Sequence, residues 1–501
     1  MHVPAPEGAA SALRRSGLGL HPRDWRVPPI ETCPRLVAFV QTGLGKALLF
    51  LLFAAFMYPL SDWWLEGTVS AAAVSLAGRY RRPVALLCGA VLLVHWPGWF
   101  DYDPVLLAVE REGLYGAVPL GWLRAATLVA CVPLAVAALW LAQRFRDHPL
   151  GRRPLLAEHL LMLGLLVAAG SHLLGGWPQV LLWSLIAVFA AYFWFLAYAL
   201  IDMRQRQPQP ILSHLATFHP FFSPNTVVPM GKGASNWRGT EAATAEDLAV
   251  TQLKGVKLLC WAFFLKIVLW SFHRIVYDRL GVPPLWLAFD DFLQGDGPGT
   301  MGLVSIAVNF PEQLLEMALW GHVIIATARL AGFGLMRNTW RPLSSRTIAE
   351  FWNRYFYYFK EVLVHVYFYP TYLRCFKRHP RLRLAFATFM AAGVGNYFFH
   401  FILDLETSAG SGLLDDIVAS QTYAFYCLLL SGGIVLSQLR ARPPSSGQGW
   451  VRRQLLPSAW VALFYCVLSF FDGPQGHVAL SLHFDFLLHV FGIDRWIGTT
   501  G

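Results

Sequence analysis

Apolar residues in this chain gather into long runs instead of alternating with polar ones. The runs fall at 36–60, 68–78, 83–100, 122–142, 155–174, 178–201, 255–276, 301–333, 384–403, 417–438 and 455–471. Most approach the roughly 20 residues that carry an α-helix across a bilayer. Membrane barrel strands would be alternating segments of about 10 residues, and that alternation is missing. A last aromatic stretch, 477–493, reads as an interfacial helix or a final span. The pattern predicts an all-α polytopic membrane protein of about 10 to 12 transmembrane helices with re-entrant or interfacial segments. No internal repeat is evident, which weighs against a transporter made of two matched halves.

Two segments break the pattern. Residues 205–250 are polar and carry Pro208, Pro210, Pro220, Pro224 and Pro229. Residues 337–383 are too polar to span and too apolar for a plain loop, and their stretch Phe351–Phe359 is nearly all aromatic. Such a segment is expected at the interface or re-entering the bundle, where irregular backbone can be buried in protein. The chain therefore divides into a basic N-terminal segment (1–35), a first set of spans (36–204), the Pro-rich loop (205–250) and a second membrane core (251–501) that includes 337–383.

Composition agrees with this reading. Hydrophobic residues make up 56% and charged residues 14%, and the charged share is well below the roughly 25% of soluble domains. The net charge of +10 comes from Arg-rich loops beside apolar runs, so nucleic acid is not an expected partner. Basic loops hold Arg79, Arg81 and Arg82; Arg144, Arg146, Arg152 and Arg153; Arg204 and Arg206; ten Arg and Lys in 337–383; and Arg440, Arg442, Arg452 and Arg453. The intervening loops hold Asp62 and Glu66, Asp101 and Asp103, Asp290, Asp291 and Asp296, then Asp404, Glu406, Asp415 and Asp416. The positive-inside rule then predicts a cytoplasmic N-terminus in a cell inner membrane, provided the short run 68–78 crosses. The first 35 residues have no early apolar core, so no cleavable signal is expected. Cys88, Cys131, Cys260, Cys427 and Cys466 lie in apolar runs without metal or CxxC spacing and read as small buried residues.

Ionisable residues at membrane depth are costly and are functional candidates by default. His400 follows Asn396 by one turn, so both share a helix face. His365 follows Glu361 at the same spacing, either as a surface ion pair or as an oriented base. His172, His273 and His322 stand alone and read as packing residues. Glu312 and Glu316, one turn apart, line a polar cavity or sit near the interface. No GxSxG, HExxH or P-loop spacing occurs, and nothing points to a metal.

The stretch Gly332-Phe333-Gly334-Leu335-Met336-Arg337-Asn338-Thr339-Trp340-Arg341-Pro342, continuing through a small polar run to Phe351-Trp352, resembles the membrane-bound O-acyltransferase (MBOAT) family. The gap-free spacing from Phe351-Trp352 to Tyr369-Pro370 is similar to its bacterial alginate-acetylase branch. The helix bearing His400 is placed like the family's active-site helix, and 218–230 resembles its Pro-rich upstream loop. The chain departs from the family by carrying Phe356 where Asn or His is usual, with Asn353 three residues earlier. It also departs at the Gly-x-Trp-His pattern, where alignment on Gly393 places Asn396, while Phe398-Phe399-His400 matches another branch.

The resemblance implies transfer of an acyl group from a thioester donor, acyl-CoA or an acyl carrier protein, to a hydroxyl of a polysaccharide, lipid or metabolite. No bound cofactor is implied. His400 would be the general base, with Asn396, His365 and Asn353 as polar partners. Trp352, Arg354, Lys360 and Arg374 would bind substrate, the cations attracting an anionic donor. Two alternatives stand beside this: a non-catalytic relative kept as a membrane scaffold, and a transporter or flippase.

Overall fold

The computed structural model describes residues 29–96, 101–149, 151–171, 173–205, 208–223, 227–440, 449–472 and 478–493. Most of the N-terminal segment, along with His172, Arg206, Pro224 and Arg442, lies outside the described residues. Those described form helices and loops with no strand, and one isolated bridge joins Glu241 to Phe333. The protein is an all-α polytopic membrane protein. Six helices are long and apolar enough to cross a bilayer: Leu120–Arg144, Trp177–Asp202, Ala245–Arg279, Pro380–Leu403, Gln421–Leu439 and Val451–Phe471. The pair Pro34–Gln41 and Gly43–Met57, bent by 97°, makes up to seven. The run at 68–78 lies mostly within the helix Trp64–Leu76. Its 13 residues reach about 20 Å, short of the roughly 30 Å hydrocarbon core.

Local sequence sets these boundaries. Thr42 caps Gly43–Met57 through Gly45 N–H (3.0 Å), and the bend falls there. Thr244 and Asp247 form a reciprocal capping box that starts Ala245–His273. The helix Ala245–His273 packs closely along Met301–Leu330 because Gly255 leaves no side chain at the crossing. A Cβ there would stand 3.0 Å from the Ala326 carbonyl oxygen. Buried Gln252 locks a third element in place, donating through Nε2 to Ser75 Oγ and the Leu330 carbonyl, both at 2.9 Å.

The span Trp177–Asp202 is the interior helix. Its most apolar window is 67% buried, against 22% for Leu120–Arg144, which shows Trp122, Val129 and Val132 to the outside. The polar segment 205–250 is not a loose loop. Phe222, Trp237 and Phe333 stack with ring centroids 5.0–5.3 Å apart and hold it against the bundle. All seven cysteines are free.

Candidate functional site

The segment after Gly334 folds against the interior helix through a sequence of local locks. Thr347 caps Ile348–Tyr355 through Glu350 N–H (3.1 Å). Extended Phe356 ends that helix, and Tyr357–Leu363 begins at once. Asn338, almost wholly buried, clamps the joint: its carbonyl accepts Tyr357 N–H (2.9 Å) and its Oδ1 accepts Tyr358 N–H (3.3 Å). Phe351 stacks on Tyr465 with centroids 3.8 Å apart, and Trp352 packs on Phe359. The Asn338 and Phe351-Trp352 positions that carry the family resemblance thus build the joint.

Beyond the joint the backbone widens into a π-helical turn, Val364–Phe368. A second π turn, Met390–Gly395, interrupts the span Pro380–Leu403. Such turns insert a residue and re-aim the side chains beside them, and they concentrate at functional sites. The two turns touch where Tyr367 lies against Gly395; a Cβ there would meet the Tyr367 ring at 2.4 Å.

His365 stands on the first π turn. Its Nδ1 lies 2.8 Å from the Glu361 carbonyl, an acceptor, so Nδ1 carries the proton. The lone pair is left on Nε2, which has no hydrogen bond among the described residues. The side chain keeps 31% exposure. The Tyr198 and Tyr369 rings flank it at 5.8 and 5.6 Å. Beside it Glu361 takes salt bridges from both Lys232 and Lys360. Burial alone would push the Glu361 carboxyl up, yet hydrogen bonds and charge from the two lysines hold it below the ordinary range. The same pairing overrides burial at Lys232 and raises it. Lys232 adopts a left-handed backbone (φ 62°), a conformation costing of order 1 kcal/mol or more for a non-glycine residue. The strain sits beside the cluster.

The interior helix turns Trp194, Tyr198 and Asp202 to this region at helical spacing. Trp194 meets Tyr367 and Phe399; Tyr198 meets His365; Asp202 accepts Ser235 N–H at 2.8 Å. The Trp194 Nε1 and Tyr198 hydroxyl are buried without a hydrogen-bond partner. Deeper in the bundle, His159 takes the Leu155 carbonyl at Nδ1 (2.6 Å), so its Nε2 accepts the Tyr367 hydroxyl proton (2.7 Å). Neighbouring Glu158 is buried with both carboxyl oxygens unpartnered. Asn396, wholly buried, likewise has neither amide atom bonded.

The other expected residues are distributed more widely. His400 shares a helix with Asn396 but is half-buried and stacks on Tyr423 (4.8 Å, 14°), with Tyr426 edge-on. Arg354 bridges Glu350 (2.6 Å) and donates to Ser344 Oγ (2.7 Å), which pins its own helix. Asn353 and Arg374 are exposed, Trp352 is buried packing, and Lys360 belongs to the Glu361 cluster. Sequence reasoning passed over Glu158, His159, Tyr367 and Tyr198. Two consecutive ionisable residues inside the run 155–174 were the legible signal for the first pair.

Where the end of Ala245–His273 meets Met301–Leu330, His273, Glu312 and Glu316 offer ligand atoms within 4.8 Å of one another, the one such grouping among the described residues. His273 Nε2 already lies 2.7 Å from Glu312, and Tyr277 donates to the same carboxylate. His322 is buried within Met301–Leu330.

The fold defines a multi-pass membrane protein with polar groups buried where two π turns meet. No protein-family model matches the sequence, and no curated protein matches it either.

Proposed function

We propose that the protein is a membrane-embedded O-acyltransferase whose general base is His365. The supporting observation is the state of that imidazole: Nδ1 is committed to the Glu361 carbonyl, Nε2 is open, and two lysines stand alongside. In this reading an acceptor hydroxyl gives its proton to His365 Nε2 while its oxygen attacks the thioester carbonyl. The unpartnered Tyr198 hydroxyl donates to the developing oxyanion. The C–S bond then breaks, and His365 returns the proton to the departing thiolate, leaving an ester and a free thiol. Lys232 and Lys360 draw the phosphates of acyl-CoA or of a carrier-protein arm to the basic-loop face. By the positive-inside rule that face is cytoplasmic, in a cell inner membrane.

The test compares wild type with His365→Ala at matched membrane levels in one host. Base-labile acyl esters are measured in lipid, polysaccharide and small-molecule fractions. An ester made by the wild type and lost in the variant supports the proposal and identifies the acceptor. Equal ester in both strains removes His365 as base.

One observation favours a second reading, a non-catalytic scaffold. Tyr423, Tyr426 and Phe399 rings crowd His400, the residue that the family resemblance made the base. Purified wild type that releases no thiol from acyl-CoA with any of the three fractions as acceptor would favour it.

A further inference from the structure

Away from the His365 cluster, a cavity of about 650 Å³ opens on the basic-loop face. It is lined by side chains from four separate parts of the chain. Lys46 comes from Gly43–Met57, Arg79 and Arg81 from the turn between Trp64–Leu76 and Arg81–His95, and Arg238 from Ala234–Thr240. Ala245, the first residue of Ala245–His273, also lines it, behind the Thr244–Asp247 capping box that closes that helix end. Charge balance is one-sided. The single acid in the lining, Glu241, is taken by Arg82 (3.3 Å) and Arg81 (3.8 Å). Lys46, Arg79 and Arg238 have no carboxylate within salt-bridge distance among the described residues. Arg81, 7% exposed, donates Nη1 to the Ala242 carbonyl (2.8 Å), while its buried Nε has no partner. Burying a guanidinium with an unused donor costs free energy. Exposed Leu76 at the edge continues the lining into apolar surface.

We infer that this cavity binds a phosphate group, carried by an anionic lipid headgroup or by a soluble phosphate compound. The inference does not depend on the acyl-transfer reading. Arg79 and Arg238, both exposed, would contact the phosphate oxygens from the rim, with Arg81 beneath.

The test uses the full chain in neutral detergent. Its thermal unfolding midpoint is followed against dihexanoyl phosphatidic acid, inorganic phosphate and dihexanoyl phosphatidylcholine. Two variants are compared: Arg79→Gln with Arg238→Gln, and Arg452→Gln with Arg453→Gln, which removes two exposed cations outside the cavity lining. The expected result is saturable stabilisation by phosphatidic acid, at least roughly tenfold weaker in the cavity variant and unchanged in the control variant. Saturation by inorganic phosphate as well assigns the site to phosphate itself; saturation by phosphatidic acid alone assigns it to a lipid headgroup. No saturable shift with either phosphate, equal stabilisation by phosphatidylcholine, an unaffected cavity variant, or equal weakening in both variants overturns the inference.

Discussion

His365 stands within one π turn and His400 follows another, yet their surroundings differ in kind. At His365 a backbone carbonyl fixes the tautomer, the second nitrogen is open, and charges gather beside it. At His400 aromatic rings take the space, with Tyr423 lying almost parallel to the imidazole. Both are half-buried, so burial does not separate them. What separates them is that His365 has its tautomer fixed and Nε2 open beside charged groups, whereas the face of His400 is covered by the Tyr423 ring. A general base needs the first arrangement; a packing histidine is served by the second.

Substitution gives the sharpest break in this comparison. His365→Ala is expected to lower the rate of ester formation by about 10²–10⁴-fold, the usual worth of a general base. His400→Phe keeps a flat ring against Tyr423 and is expected to leave the rate within a few-fold of wild type. Initial rates of thiol release from acyl-CoA by the two purified variants check both expectations. A reversed order would return the base to His400.

The charges beside His365 supply the next largest effect. Glu361→Gln leaves Lys232 and Lys360 facing each other without their shared carboxylate, both with less than a fifth of the side chain exposed. Breaking a buried pair in this way costs about 3–5 kcal/mol. Lys232→Met leaves Glu361 still paired with Lys360, so its cost is smaller, and the thermal midpoints should rank in that order. An equal loss in both variants would mean that Lys360 does not share the carboxylate.

The same cluster sets a pH window. Glu361 is held below its ordinary value of 4.5, so its contribution is complete above that value and fades as pH falls through the lowered one. Lys232 is raised above 10.5, so its contribution is complete below that value and fades as pH rises through the raised one. The wild-type midpoint minus that of Glu361→Gln should therefore be flat from about pH 5 to 10 and shrink at both ends. A difference that changes steadily across neutrality would place another titrating group in control.

Much of the fold was legible because the hydrophobic effect writes spans as runs. The run 178–201 became Trp177–Asp202, and 122–142 became Leu120–Arg144, each within a few residues. Hydrophobicity did not say which of them is interior, since lipid and protein core reward the same side chains. At the site, the i, i+4 spacing of Glu361 and His365 was readable, but the contact runs mainly through the backbone carbonyl, with the carboxylate 3.9 Å away. Lys232 was not readable as a partner of Glu361, 129 residues on. Neither π turn has a signature in the one-dimensional pattern, and a π turn shifts every face assignment beyond it. Asn396 and His400 both lie beyond the turn Met390–Gly395, in the helix Asn396–Leu403.

The smallest expected effect lies at the contact between the π turns. Tyr367 donates to His159 Nε2 at 2.7 Å, and the His159 ring is stacked on Phe398 with centroids 5.0 Å apart. Tyr367→Phe keeps the ring against Gly395 and removes one hydrogen bond, leaving a buried nitrogen without its donor. The loss should be about 1–3 kcal/mol, below that for Glu361→Gln. The double variant Tyr367→Phe with His159→Phe removes both polar partners and is expected to recover part of that loss, because no unsatisfied nitrogen remains. If the two changes add, the hydrogen bond does not couple the Val364–Phe368 turn to the helix Pro154–Gly170. If the double variant recovers stability while the rate of ester formation still falls, the polar contact matters to the chemistry and not only to the packing that holds His365 in place.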